Sequence, residues 1–241
     1  MPEKFLQNKT AIVTGGTRGI GRAIAAHLLN AGARVAICGT RQKSVDEAIG
    51  ALGHAGELIG MGADVSKLAD VRALVALAKE KYRTVDILVN NAGVGLFGSV
   101  ADLTPDQWQR MIGINLTGAY YCCHEVLPIF RQTGGGDIVN ISSLAGKNPF
   151  AGGAGYNASK FGLNGFSDAM MLDHRSDGVR VTTVMPGSVD TEFGGHASEQ
   201  RSSWKIAPED VAEIVLTVLR MPRRTTISQV EVRPSKPPRK T

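Results

Sequence analysis

Tyr156 and Lys160 stand four residues apart, and Ser143 lies thirteen residues before the tyrosine. In a helix, positions i and i+4 share a face, so a phenol and an ammonium at this spacing can point into one small volume. A free tyrosine, with a pKa of about 10, is a poor acid–base catalyst at neutral pH. A cation a few ångströms away stabilises the phenolate and is expected to lower that pKa. Such a phenol can give a proton to a carbonyl oxygen or take one from an alcohol. A hydroxyl such as Ser143 can hydrogen-bond the same oxygen. Alone, a Tyr-x-x-x-Lys pair is more often a surface helix pair, so its surroundings decide.

A frame that could hold these side chains is written along the chain. Short β-branched runs alternate with helical stretches, the pattern of βα units around a parallel sheet. Strands are expected near 10–14, 34–38, 58–62, 87–90, 137–141, 180–185 and 228–232, and helices near 20–30, 44–53, 67–82, 105–131, 158–176 and 208–220. Pro105 and Pro208 suit first-turn positions, with Thr104 as N-cap of the longer helix. Runs such as Ala11-Ile12-Val13 and Ile87-Leu88-Val89 are apolar on both faces, as a covered parallel sheet requires. With no internal repeat or linker, the expectation is an α/β fold: one Rossmann-type, doubly wound domain over residues 1–241, a seven-stranded parallel sheet with helices on both faces.

The first strand runs into Thr14-Gly15-Gly16-Thr17-Arg18-Gly19-Ile20-Gly21 and then a helix. Glycines there let the backbone turn sharply and approach a pyrophosphate, which the helix N-terminus binds. The spacing is G-x-x-x-G-x-G rather than the commoner G-x-G-x-x-G. The second strand ends Ile37-Cys38-Gly39-Thr40-Arg41, without the acid that holds the ribose 2′-hydroxyl of NAD. Arg41 and Arg18 could instead pair with a 2′-phosphate. Residue types therefore favour NADP over NAD, the alternative being that both arginines are merely solvated.

Of the 241 residues, 43% are hydrophobic and 5% aromatic, enough for a sizeable core. The formal charge of +5 is scattered, apart from Arg223-Arg224 and a proline-rich basic tail over 233–241 that is expected to be extended or disordered. A nucleic-acid partner is not implied; a phosphate-bearing cofactor would benefit from the same field. No apolar run spans a bilayer. The N-terminus lacks the apolar core of a signal peptide. Cys38, Cys122 and Cys123 are too few for a disulfide framework or zinc site and read as thiols of a reducing cytoplasm. The five histidines are scattered, and no metal site is expected.

With these pieces together, the chain resembles the classical short-chain dehydrogenase/reductase family over nearly its whole length. Beyond the glycine turn and Ser143, Tyr156 and Lys160, it has Asn90-Asn91-Ala92-Gly93 after the fourth strand, Asn115 in the long helix, and Pro186-Gly187-Ser188-Val189-Asp190-Thr191 after the sixth. The resemblance implies a catalytic set of Ser143, Tyr156, Lys160 and Asn115. Tyr156 would be the acid–base group and Ser143 would orient the substrate carbonyl. Lys160 would lower the phenol's pKa and hold the nicotinamide ribose. Asn115 would help hold a water chain that resupplies protons through Lys160. Cofactor contacts are expected from Gly15, Thr17, Arg18, Gly19, Ile20 and Gly21, then from Gly39, Thr40 and Arg41. Asp64 would contact adenine, with Val65 beside it, while Asn91, Ala92 and Gly93 line the adenosine ribose. Tyr156 and Lys160 contribute again, as do Pro186, Gly187, Val189 and Thr191, of which the last two would fix the nicotinamide carboxamide.

Substrate choice in such a fold lies in the loops beyond the strand ends. The main candidate is the loop over 188–205, with Glu192, Phe193, His196, Trp204 and a Gly194-Gly195 hinge. Phe193 and Trp204 could close over a substrate or pack the loop down; Phe150 is another candidate wall. The family resemblance extends to 3-oxoacyl-carrier-protein reductases and 3-hydroxy acid dehydrogenases, but the ending Ser228-Gln-Val-Glu-Val-Arg lacks the glycine-rich segment of the former. The long helices could form a homodimer or homotetramer, or spend their apolar residues on the sheet. The expected activity is hydride transfer between NADP(H) and a carbonyl or secondary alcohol. The alternatives are a non-catalytic NADP-binding sensor or scaffold, or an NAD-retaining epimerase or dehydratase.

Overall fold

The computed structural model describes residues 4–193 and 203–237. The Gly194-Gly195 hinge, His196 and the tail residues Pro238, Arg239 and Lys240 lie outside the described residues.

Seven strands form one parallel sheet: β1 (Thr10–Val13), β2 (Arg34–Gly39), β3 (Leu58–Gly62), β4 (Ile87–Asn90), β5 (Gly136–Ile141), β6 (Val179–Pro186) and β7 (Gln229–Val232). Their order is β3-β2-β1-β4-β5-β6-β7. The order reverses between β1 and β4, which leaves a crevice at the strands' C-terminal ends. Alternation along each strand feeds two cores, as in β1, where Ala11 and Val13 pack on one side and Ile12 on the other. The first core takes Ile24 and Leu28 from α1 (Gly19–Asn30), Val45 from α2 (Gln42–Leu52) and Val211 and Val215 from α7 (Pro208–Arg220). The second takes Leu74 from α3 (Leu68–Tyr82), Val126 and Phe130 from α5 (Gly118–Thr133) and Met170 from α6 (Ala154–His174).

The helix expected over 105–131 is two helices. α4 (Pro105–Ile112) and α5 are joined by a π-helical turn over Gly113–Thr117. Such turns occur as single insertions inside α-helices, and no residue type in Gly113–Thr117 marks one. Thr104 caps α4 as expected: its side chain accepts from Gln107 N, and the Gln107 side chain returns a bond to Thr104 N. α6 begins earlier than the expected 158. Asn157 N already donates to Gly153 O at 2.7 Å, so Tyr156 sits within its first turn. The apolar residues of α5 are divided: Cys122, Cys123, Val126 and Phe130 face the sheet, while Tyr120 is exposed, as are Phe161 and Leu172 on α6. No helix among the described residues is long and apolar enough to cross a membrane.

A polar rung crosses the sheet and fixes α6 upon it. Asn90, Asn140, Thr183 and Gln229 are successive register partners on β4, β5, β6 and β7. Asn90 Nδ2 donates to Asn140 Oδ1 at 2.9 Å, and Asn140 Nδ2 to Ser167 Oγ of α6 at 2.7 Å. Gln229 Nε2 reaches both carboxylate oxygens of Asp168, also on α6, at 3.0 Å. Directional bonds of this kind fix a helix's register more narrowly than apolar contact does.

Candidate active site

The crevice at the sheet's switch point is a cleft of about 1520 Å³. Its floor is the turn between β1 and α1. Gly15 (φ +64°) and Gly19 (φ +52°) adopt the left-handed backbone that only glycine takes without strain. Gly21 is a close approach: a Cβ there would stand 2.3 Å from Gly15 O. Arg18 is the N-cap residue of α1 but its side chain makes no cap bond, and the first turn holds no acid. The helix's first N–H groups are therefore without a side-chain partner, an arrangement suited to an anion.

Asn91 ties this turn to β4. Its Nδ2 donates to Thr14 O at 2.9 Å and Gly15 O at 3.1 Å, while Thr14 Oγ1 accepts from Asn91 N and Ala92 N. Asp64 lines the cleft with one oxygen occupied by Ser66, whose N and Oγ donate to it at 3.0 and 2.7 Å.

Ser143, Tyr156 and Lys160 meet on the opposite wall. Ser143 follows β5; its Oγ accepts from Ala145 N at 3.1 Å and donates to Pro186 O at 3.5 Å. Tyr156 and Lys160 share the cleft-facing side of α6, with Lys160 Nζ 5.9 Å from the centre of the phenol ring. Lys160 is only 4% exposed, and Nζ donates to Ile141 O at 2.9 Å. Burial without a carboxylate partner lowers its pKa to about 8.

The expected lowering of the tyrosine pKa does not appear. Burial pushes the Tyr156 phenol above its ordinary value, and the hydrogen bond from Ser143 only opposes that rise. The reason is desolvation, which penalises the phenolate more than its surroundings compensate.

Asn115 does not line the cleft. It lies in the π-helical turn, buried, and works from behind. Its Oδ1 accepts from Val94 N at 2.8 Å; its Nδ2 donates to Val94 O and to Ser159 Oγ, both at 2.9 Å. Ser159 Oγ in turn donates to Tyr156 O at 2.8 Å. One amide thus joins the loop after β4 to the first turn of α6. A Cβ on Gly93 would stand 3.4 Å from Asn115 Oδ1 and 3.7 Å from Lys160 Nζ, so the missing side chain leaves a gap between them.

The sequence model described as short chain dehydrogenase matches residues 9–202. The chain belongs to that family. As a short-chain dehydrogenase it is 35% identical over 224 residues to a 3alpha-hydroxysteroid dehydrogenase of Mediterraneibacter gnavus, covering 88% of this chain and 90% of the relative. A crystal structure of a metagenomic short-chain oxidoreductase in complex with NADP is similar at a TM-score of 0.85 and 35% identity, covering 96% of this chain and 99% of that one. The X-ray structure of an alcohol dehydrogenase from the archaeon Thermococcus sibiricus, complexed with 5-hydroxy-NADP, gives 0.85 at 28% identity, with the same coverage.

Most of the residues expected to build the dehydrogenase's site do meet in the cleft, from Gly15 to Gly21, Gly39, Thr40, Asp64 and Val65, through Asn91 to Gly93, to Pro186, Gly187, Val189 and Thr191. Two arginines behave differently. Arg18 Nη1 donates to Glu192 Oε2 at 3.0 Å, a long-range pair across the cleft mouth. Arg41 is the N-cap residue of α2 and is not part of the cleft lining.

The tail expected to be extended or disordered forms no helix or strand over its described part, 233–237. Arg233 pairs with Glu231, which also takes Lys147, and Arg233, Pro234 and Pro237 line the cleft. The loop over 188–205 is pinned at its base, where Asp190 N donates to Ile206 O at 2.9 Å and Ile206 N to Ser188 O at 3.0 Å. Sequence reasoning missed Phe97, whose ring stands edge-on to Tyr156 with centroids 5.7 Å apart. Its signal was an aromatic residue just beyond Asn91-Ala92-Gly93, where a strand end meets the ligand crevice.

Proposed function

We propose that this chain transfers a hydride between NADP(H) and a carbonyl or secondary alcohol, with Tyr156 as general acid and base. The placement of the Tyr156 phenol carries the reading: it lines one cleft with Ser143 and Lys160, Lys160 Nζ lying 5.9 Å from its ring centre, and the floor of that cleft is the glycine turn. When bound, the nicotinamide supplies or accepts the hydride. The chain's own residues do the rest. Ser143 Oγ accepts from Ala145 N at 3.1 Å and reaches Pro186 O only at 3.5 Å, a long contact that its hydroxyl would exchange for a substrate oxygen. Ser143 and Tyr156 are then two donors set where negative charge grows during reduction. Because burial raises its pKa, Tyr156 holds its proton at neutral pH, the state a carbonyl needs. Alcohol oxidation needs the phenolate, so its rate should climb with pH while the reductive rate falls at high pH.

The residues present fit NADP(H). The uncapped N-terminus of α1 and the left-handed glycines suit a pyrophosphate. Beyond β2 stand Thr40 and Arg41, with no carboxylate to repel a 2′-phosphate. Arg18 also lines the cleft and would exchange Glu192 for phosphate. The NADP and 5-hydroxy-NADP complexes of the two similar structures support the same cofactor. The gap at Gly93, beside Lys160 Nζ and Asn115 Oδ1, would suit a water that passes protons to Lys160.

NADPH consumption against a β-keto ester, a 3-oxoacyl thioester, a diketone and a quinone tests the proposal, with NADH and Tyr156→Phe beside it. Turnover should require NADPH and fall about 10²–10⁴-fold in the variant while NADPH binding persists. Undiminished turnover by Tyr156→Phe would remove the tyrosine from the chemistry.

A further inference from the structure

Beyond the reacting atoms, the cleft carries a second feature. Phenylalanines from two loops flank the Tyr156 ring, and a third, from another loop, extends the cluster through Phe97. Phe97 comes from the β4–α4 loop, Phe150 from the β5–α6 loop and Phe193 from the segment after β6. Phe97 stands 5.7 Å from Tyr156 and 5.8 Å from Phe150, centroid to centroid; Phe193 also stands 5.7 Å from Tyr156. All three line the cleft, and they remain 50%, 46% and 41% exposed.

This arrangement is built rather than incidental. Gly98 N donates to Gly152 O at 2.8 Å, which ties the Phe97 loop to the Phe150 loop. The rings of Phe193 and Phe97 converge over Gly95, where a Cβ would stand 2.6 Å from one ring and 2.8 Å from the other. Beneath them, Val94, Leu96 and Leu103 pack on Met111, Ala145 and Tyr156. Exposed aromatic faces beside a reacting group are covered most favourably by another apolar face in offset or edge contact. A rigid body makes those contacts without losing internal rotations on binding, as an open chain must.

We propose that Phe97, Phe150 and Phe193 select the substrate: a ketone, or the corresponding secondary alcohol, carried on a rigid apolar ring system. The proposal rests on the hydride-transfer reading above, since Tyr156 and Ser143 must take the oxygen while the ring body lies among the phenylalanines.

Two measurements separate the two claims. The first is steady-state reduction of 2-tetralone, a benzo-fused cyclic ketone, and of butan-2-one and 3-oxobutanoate, by the wild type and by Phe97→Ala, Phe150→Ala and Gly95→Ala. Wild-type kcat/KM should favour 2-tetralone over both open-chain ketones by at least about 10-fold, and each variant should reduce that preference about 3- to 10-fold. A wild type that prefers an open-chain ketone, or variants that keep the preference, would overturn the proposal. The second is saturation-transfer NMR of 2-tetralone with the same four proteins, which needs no turnover. Ring-proton transfer that weakens in Phe97→Ala and Gly95→Ala supports the aromatic site even if no ketone is reduced. Equal transfer in all four, or none in the wild type, overturns the site whatever the activity shows. Loss of all turnover with ring binding intact would sink the hydride-transfer reading alone.

Discussion

Replacing Lys160 by methionine should change how stability depends on pH in a direction the burial of this side chain dictates. Lys160 is 4% exposed, and its ammonium donates to Ile141 O. Its pKa is lowered from 10.5 to about 8 by desolvation alone. Below pH 8 the amine is protonated in both folded and unfolded chains, and folding bears the full cost of burying its charge. Above 10.5 it is neutral in both, and that cost is gone. Between these limits the unfolded chain holds the extra proton, so stability rises with pH. The interval corresponds to roughly 3 kcal/mol, at about 1.4 kcal/mol per pH unit. Lys160→Met lacks this dependence. It also forfeits the bond to Ile141 O, about 1 kcal/mol, but that offset is similar at every pH. For a chain of this length, roughly 2–4 °C of Tm accompany each kcal/mol. Calorimetric melts of both proteins from pH 7 to 10.5 should therefore show the wild type gaining on the variant by roughly 6–12 °C. Every other titrating group cancels in the comparison. Melting temperatures that run parallel across the interval would refute the argument that Lys160 is buried charged at neutral pH.

Other groups give sharp expectations. Arg180 is buried, with Nε donating to Asp137 at 2.6 Å and Nη1 to Met221 O at 2.7 Å. Arg180→Met should cost about 3–5 kcal/mol, because it strands buried acceptors, with urea unfolding as the measure and activity per folded molecule retained. The thiols should be inert: burial raises Cys38 to about 11, Cys123 to about 12 and Cys122 well above its ordinary value. At pH 8 a disulfide reagent should label none of them rapidly until denaturant is added; fast labelling of the native protein would contradict their burial. Glu192→Gln frees Arg18 and should lower the Kd of NADPH up to about 5-fold without altering that of NADH. An equal change for both dinucleotides would show that Arg18 does not meet the 2′-phosphate.

What the sequence disclosed and what it concealed have separate physical origins. The glycine turn, the β-branched runs and the Ser143–Tyr156–Lys160 spacing are local signals, because turn geometry and helical periodicity are set by neighbours in the chain. All seven strands and the Thr104 cap were legible for that reason. The π-helical turn was not, since no residue type in Gly113–Thr117 marks one. The Tyr156 pKa was misjudged because desolvation depends on what covers the phenol, including Phe97 from a loop far away in sequence. The diversion of Arg18 to Glu192 is equally non-local, as is the fold-back of Arg233 and Pro234 onto the cleft. Asn115 was identified by resemblance, yet its partners, Val94 and Ser159, are visible only in three dimensions.

The pairing of α1 with α7 has a consequence for how the chain is made. Ile24 and Leu28 find Val211 and Val215 only after almost the whole sequence has left the ribosome. β1 likewise waits for β4 to cover its second edge. Such non-local contacts fold slowly, and the apolar stripe of α1 stays uncovered throughout synthesis. A chain cut before Pro208 would lose more than α7: it would leave the Ile24 and Leu28 stripe of α1 and part of the first core without a cover. Premature termination should therefore yield aggregates or degraded protein, not a shortened enzyme. A nascent chain stalled before Pro208 should be a strong client of holdase chaperones.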